Sequence, residues 1–207
     1  MNILYLSDIH FGRELIASGS FTNRTQIQDQ LIQTVSKLPA NMRPHYIVVT
    51  GDIAWTGAAE EYDMAYDWFS RLLAELQLSG EKIALCAGNH DINRKIAVQT
   101  PLAELKDNDG FILKKIDEKY KFENICFFDV QLHAYNDFCH KLGVIPYEYR
   151  CDIQGPLSDK LGFSNHWYSY TVGSKDFSFG DEKYRFIAFN TAMLSGYEEL
   201  PDDENFI

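Results

Sequence analysis

Three short apolar runs, each breaking off into a polar cluster of the same kind, constrain this chain more than any other feature. Ile3-Leu4-Tyr5-Leu6 ends in Ser7-Asp8, Tyr46-Ile47-Val48-Val49 ends in Thr50-Gly51-Asp52, and Ile83–Ala87 ends in Gly88-Asn89-His90-Asp91. Continuous apolar runs this short read as buried strands. Between them lie two segments of helical periodicity. From about Gln26 to Leu38, the residues Ile27, Leu31, Ile32, Val35 and Leu38 recur at helical spacing, and Pro39 stops them. From about Ala58 to Leu78, Tyr62, Ala65, Phe69, Leu72, Leu73 and Leu76 form one face, with Glu60, Glu61 and Asp67 expected to look outward. Strand–helix–strand–helix–strand order predicts right-handed crossovers and a mostly parallel sheet with helices against it.

The next stretch is less regular. From about Gln99 to Asn165 charges mix through Leu102–Lys121, Val130–Leu142 reads as an amphipathic helix, and Gly155-Pro156, Gly162 and Ser164-Asn165 are turn chemistry. This is read as a partly helical insertion at about 99–165 within a single domain. Strands are then expected at His166–Val172 and Tyr184–Phe189 with a turn around Gly180-Asp181, before an acidic, aperiodic stretch at Glu198–Glu204.

The chemistry sits where the strands stop. In an open parallel sheet, ligands bind at the carboxyl ends of the strands, so the three clusters fall on one edge. Asp8 and His10 are two apart, and on an extended segment their side chains point to the same side. A lone Asp-x-His is ordinarily surface polarity, a lone Gly-Asp a turn and a lone Asn-His a helix cap. Their recurrence at three successive strand ends is what indicates a site. Carboxylate, imidazole and amide donors together suit Mn²⁺, Fe or Zn²⁺ better than Ca²⁺.

Composition matters here through charge. Thirty acidic against 19 basic residues give a net charge of −11, which repels phosphate unless something local reverses the sign. A basic stripe interleaved with aromatics, the usual footprint of nucleic-acid binding, is not present. Phe127, Phe128, Tyr135 and Phe138 are read as core of the insertion. No apolar run approaches the roughly 18 residues of a membrane span. Cys86, Cys126, Cys139 and Cys151 show no C-x-x-C pairing and are expected to be reduced thiols of a cytoplasmic protein.

Asp8-x-His10, Gly51-Asp52 and Gly88-Asn89-His90-Asp91 resemble the first three motifs of the calcineurin-like metallophosphoesterase superfamily. The resemblance implies a layered α/β/β/α sandwich with two divalent metal ions, Mn being favoured. It implies that Asp8 and His10 bind the first metal, that Asp52 bridges both, and that Asn89 binds the second. His90 would contact the substrate phosphate and assist the leaving group. The stretches Ser7–Gly12 and Gly51–Gly57, followed by Glu60-Glu61-Tyr62, and the later Asn190–Leu194 are similar to phosphoesterase domains at the N-terminus of large bacterial multidomain proteins. Further domains C-terminal to the chain are therefore expected. Arg13 and Arg94 could clamp phosphate or serve as surface arginines. Asp91 could orient His90 or cap the next segment.

Two departures from that pattern shape the reading. Where serine/threonine phosphatases of the superfamily carry Asp-Arg-Gly, this chain has Trp55-Thr56-Gly57, which argues against that branch. The fourth-motif histidine and the final Gly-His-x-His are also missing, since only His133, His140 and His166 follow His90. Those three are read as structural, and the missing ligands are expected beyond Ile207, a naturally degenerate domain being the rival explanation. With too few ligands for the second metal, these 207 residues alone are expected to be weakly active or inactive. Two cations would lower the pKa of a bridging water to roughly 7 and neutralise the charge that builds during phosphoryl displacement. The reaction expected is hydrolysis of a phosphodiester, including nuclease-type substrates. The alternatives are a small-molecule phosphomonoesterase or cyclic-nucleotide phosphodiesterase, and a non-catalytic binding module of the same fold.

Overall fold

In the computed structural model, the residues described are 1–13, 23–93, 95, 114–116, 119–121, 132–144, 172–189 and 192. Arg94, Phe127, Phe128, Cys126, Cys151, His166, the turns at 155–165, most of the expected insertion and the acidic stretch at 198–204 lie outside them. Strands β1 (Ile3–Leu6), β2 (Tyr46–Val49) and β3 (Ile83–Leu85) form a parallel sheet in that order. Leu6 pairs with Val49, and Val49 with Leu85, so all three strands stop at one level. β3 is shorter than expected; Cys86 still donates its N–H to the Val49 carbonyl (2.9 Å), and beyond it the chain leaves the ladder.

Helices α1 (Asn23–Ser36) and α2 (Ala59–Leu76) supply the crossovers. α2 buries the face that periodicity predicts: Tyr62, Ala65, Phe69, Leu72, Leu73 and Leu76, with Trp68 added. Full burial of side chains such as Phe69 and Leu72 stabilises by about 1.5–3 kcal/mol each, which holds the helix on the sheet. The helix ends at Gln77, which takes a left-handed conformation (φ 56°) and returns its N–H to Ala74. Glu60 and Asp67 are exposed as expected, but Glu61 is buried at 5% exposure, a correction whose cause lies in the site described below.

Helix α3 (His133–Lys141), in the expected insertion, packs Tyr135 and Phe138 against Tyr62 and Phe69 of α2, with ring centroids 5.5–6.2 Å apart. These aromatics therefore extend the main core. His133 and His140 are exposed, and His133 pairs with Asp137 one turn away. A short antiparallel pair, β4 (Lys114–Ile116) with β5 (Lys119–Lys121), precedes α3.

An antiparallel hairpin, β6 (Val172–Phe179) and β7 (Glu182–Phe189), turning at Gly180-Asp181, packs on the second face of the sheet at β2 and β3. β1, expected as a buried strand, leaves Ile3 and Tyr5 exposed on that face. Of the strand expected at His166–Val172, residues 166–171 lie outside the described residues; Val172 begins β6, which runs on to Phe179. Phe177 packs on Tyr46 (4.1 Å, 25°) and holds the segment on the sheet. Lys175 Nζ donates to the Ile83 carbonyl at 2.6 Å, and Tyr46 Oη donates to the Ser178 carbonyl. The layers among the described residues are thus helices, parallel sheet and β-hairpin, an α/β class matching the first three layers of the α/β/β/α order expected.

Candidate metal centre

Beyond the last ladder pairs, the exits of β1 and β2 stay bonded to each other. Asp8 N–H donates to Gly51 O (3.3 Å), His10 N–H to Asp52 O (2.9 Å), Phe11 N–H to Ile53 O (2.8 Å) and Trp55 N–H to Phe11 O (3.0 Å). Within this run Asp8, His10 and Asp52 all have positive φ, at 55°, 52° and 54°. Such values are uncommon for residues other than glycine and cluster where function fixes the backbone. The extended geometry expected to align Asp8 with His10 is therefore absent. Two left-handed kinks bring the side chains together, with His10 Nε2 3.8 Å from Asp8 Oδ1 and 3.9 Å from Asp52 Oδ2.

The exit of β3 closes the cluster from the other side. His90 N–H donates to Asp52 Oδ1 at 3.0 Å, and the Asn89 amide lies 3.1 and 3.2 Å from the two Asp52 carboxylate oxygens. Oriented with its NH₂ toward Asp52, the amide donates to both of those oxygens. His10, Asp52 and His90 each offer a ligand atom within 4.8 Å of the others. The glycines make this approach possible: a Cβ on Gly51 (φ 97°) would lie 2.6 Å from the Gly88 backbone, and one on Gly88 only 2.3 Å from Asp52 Oδ1.

Both imidazoles are set by their Nδ1 atoms. His90 Nδ1 is 2.7 Å from the Trp55 carbonyl and His10 Nδ1 is 3.4 Å from the Ala54 carbonyl. A carbonyl only accepts, so each Nδ1 carries the proton and Nε2 is left as the basic nitrogen. Burial pushes His10 below the usual histidine range, helped by His90 and opposed by Asp52, the Ala54 carbonyl and Asp8. A neutral ring is the form that ligates metal. The site opens outward at Asp8, whose side chain is 66% exposed, while that of Asp52 is at 14%.

Behind the donors stand two buried carboxylates. Asp91, wholly buried, accepts the N–H groups of Ile53 (3.0 Å), Ala54 (2.9 Å) and Gly88 (2.8 Å) and the Tyr62 hydroxyl (2.8 Å). It ties the second exit to the third and both to α2. Burial raises its carboxyl to about 6 against the pull of those hydrogen bonds. Glu61 accepts from Trp55 N–H, Thr56 N–H, Thr56 Oγ1 and Ala58 N–H at 2.8–3.2 Å, and it sits where a side chain on Gly12 (φ 91°) would fall. Periodicity alone misses Glu61; its signal is a glutamate three residues past the helix N-cap, a place where it reaches back to the cap N–H. Arg13 places its guanidinium 4.6 Å from the Trp55 ring centroid.

The donor set of two carboxylates, an amide and the His10 imidazole, with the His90 imidazole beside it, fits a divalent transition ion. Comparison with known proteins agrees with that chemistry. A family model described as calcineurin-like phosphoesterase matches residues 1–192. The SbcD component of the nuclease SbcCD of Escherichia coli strain K12 is 30% identical over 91 residues, 44% of this chain and 21% of that protein, and its counterpart in E. coli O157:H7 matches equally. The matched stretch is thus about a fifth of the length of these relatives. With parallel strands delivering this donor set to one edge and the family match spanning nearly all of the chain, the protein belongs to the calcineurin-like phosphoesterases, metal-dependent hydrolases of phosphate esters.

Proposed function

We propose that the chain is a phosphodiesterase of the nuclease type working with two divalent cations, Mn²⁺ favoured over Fe and Zn²⁺. The observation that carries this is the meeting of Asp8, His10, Asp52, Asn89 and His90 at three adjacent strand exits. Asp8 and His10 would hold the first ion, Asp52 would be shared, and Asn89 would serve the second. When bound, divalent cations supply charge neutralisation for phosphoryl oxygens and a nucleophile available at neutral pH. They also reverse the sign of the local field, which a chain of net charge −11 needs before any phosphate approaches.

The protein's own groups do the rest. His90, held through Nδ1, turns Nε2 to the substrate; protonated there, it gives that proton to the leaving oxygen. Arg13, poised over Trp55, would fork onto a phosphoryl oxygen pair. A diester, and hence a nucleic acid or nucleotide, is favoured because the matched relatives are named as parts of a nuclease. The test is hydrolysis of bis-p-nitrophenyl phosphate against p-nitrophenyl phosphate with Mn²⁺ and with chelator. Turnover should be slow, Mn²⁺-dependent, abolished by chelation and faster on the diester. Equal or greater turnover of the monoester would overturn the diester assignment, and chelator-resistant turnover the metal-dependent one.

A further inference from the structure

The indole of Trp55 meets both imidazoles of the cluster. It lies nearly parallel to His90 (centroids 4.6 Å apart, 20° between planes) and edge-on to His10 (5.1 Å, 84°), while the two imidazoles are 4.5 Å apart. The same residue's carbonyl accepts the hydrogen bond from His90 Nδ1–H. Trp55 therefore touches His90 twice: the carbonyl selects the tautomer, and the flat face opposes rotation of the ring about χ2.

Trp55 is itself held firmly. Its N–H is shared between the Phe11 carbonyl (3.0 Å) and buried Glu61 (3.2 Å), and Arg13 covers its ring. Core packing does not account for it, because the residue is only half-buried and lies outside the hydrophobic cluster that includes neighbouring Ile53 and Ala54. A half-exposed indole built into a rigid loop and laid flat on a functional histidine is organised for that histidine.

We propose that Trp55 is a positioning residue for His90, its face and carbonyl together holding the ring in one orientation and one tautomer. The kinetic half of the test rests on the phosphodiesterase reading, and the spectroscopic half does not. Trp55→Phe keeps a flat face; Trp55→Leu keeps apolar bulk without one. With Mn²⁺ and bis-p-nitrophenyl phosphate, Trp55→Leu should lower kcat about tenfold or more with KM within about twofold, and Trp55→Phe should recover most of it. In metal-free protein at a pH of about 8.5, two units above the ordinary histidine value, imidazole ¹⁵N–¹H correlations should show His90 as a single Nδ1–H tautomer in wild type and Trp55→Phe. In Trp55→Leu the main-chain carbonyl remains, but with no flat face to oppose rotation the ring turns away from it and the two tautomers should average. A fixed tautomer in Trp55→Leu, or an unchanged kcat in a wild type that turns over, overturns the proposal. If wild type hydrolyses neither ester, as too few ligands for the second metal would allow, the tautomer comparison alone decides. Should Trp55→Leu not fold by circular dichroism, Trp55→Met takes its place with the same expectations.

Discussion

Asp52 is the residue on which the others converge: its carboxylate meets the His90 N–H, the Asn89 amide and the His10 ring. Asp52→Ala should abolish both Mn²⁺ binding, measured by isothermal titration calorimetry, and hydrolysis. His90→Ala should leave Mn²⁺ affinity within a few-fold and lower kcat by about 10²–10⁴. Lost Mn²⁺ affinity in His90→Ala would move His90 into the ligand set. At this scale the sequence is legible by residue type and only partly by geometry. Asp8 and His10 can be paired by their spacing, but the positive φ angles that join them leave no mark on a string of letters, since neither residue is a glycine. Helical phase puts Glu61 in solvent, yet phase is blurred at the first turn, where a carboxylate can bend back to loop amides.

The exits of β2 and β3 form a unit because two glycines let their backbones touch. Gly88→Ala should cost about 1–3 kcal/mol in urea-unfolding free energy and weaken Mn²⁺ binding, since the added Cβ would press on Asp52 through both Oδ1 and the backbone nitrogen (2.5 Å). Stability loss with unchanged Mn²⁺ affinity would show that the loop absorbs the strain elsewhere. β2 and α2 are readable from apolar period because each is buried along its expected residues. β1, by contrast, leaves Ile3 and Tyr5 exposed, and α1 buries Ile32 and Val35 but leaves Ile27 in solvent. The first arm of the hairpin is not readable in this way. Its Val172–Phe179 register is set by contacts with Tyr46 and by the Arg185–Asp176 pair across the ladder (2.7 Å), which are distant in sequence or lie among turn-forming residues.

For the molecule as a whole, Asp91 sets an unusual response to acid. Its folded carboxyl titrates at about 6, above the unfolded value near 3.8, so between those pH values the folded state keeps a proton the unfolded chain has lost. The stability it contributes is complete below about pH 4 and lost as pH rises through 6, worth roughly 3 kcal/mol. Urea titrations from about pH 4 to about pH 7 should show this slope as the difference between wild type and Asp91→Asn; parallel curves would place the buried carboxyl's pKa at its unfolded value. The layered architecture is legible because alternating strands and helices admit few arrangements. The burial of Asp91 is not, because it depends on three separated segments closing over one side chain. The bonds that stitch the first two strand exits together join peptide groups, and every amino acid except proline brings the same peptide group. A lineage could therefore exchange the rim residues one after another, trying new substrates, while the floor beneath them persisted unaltered.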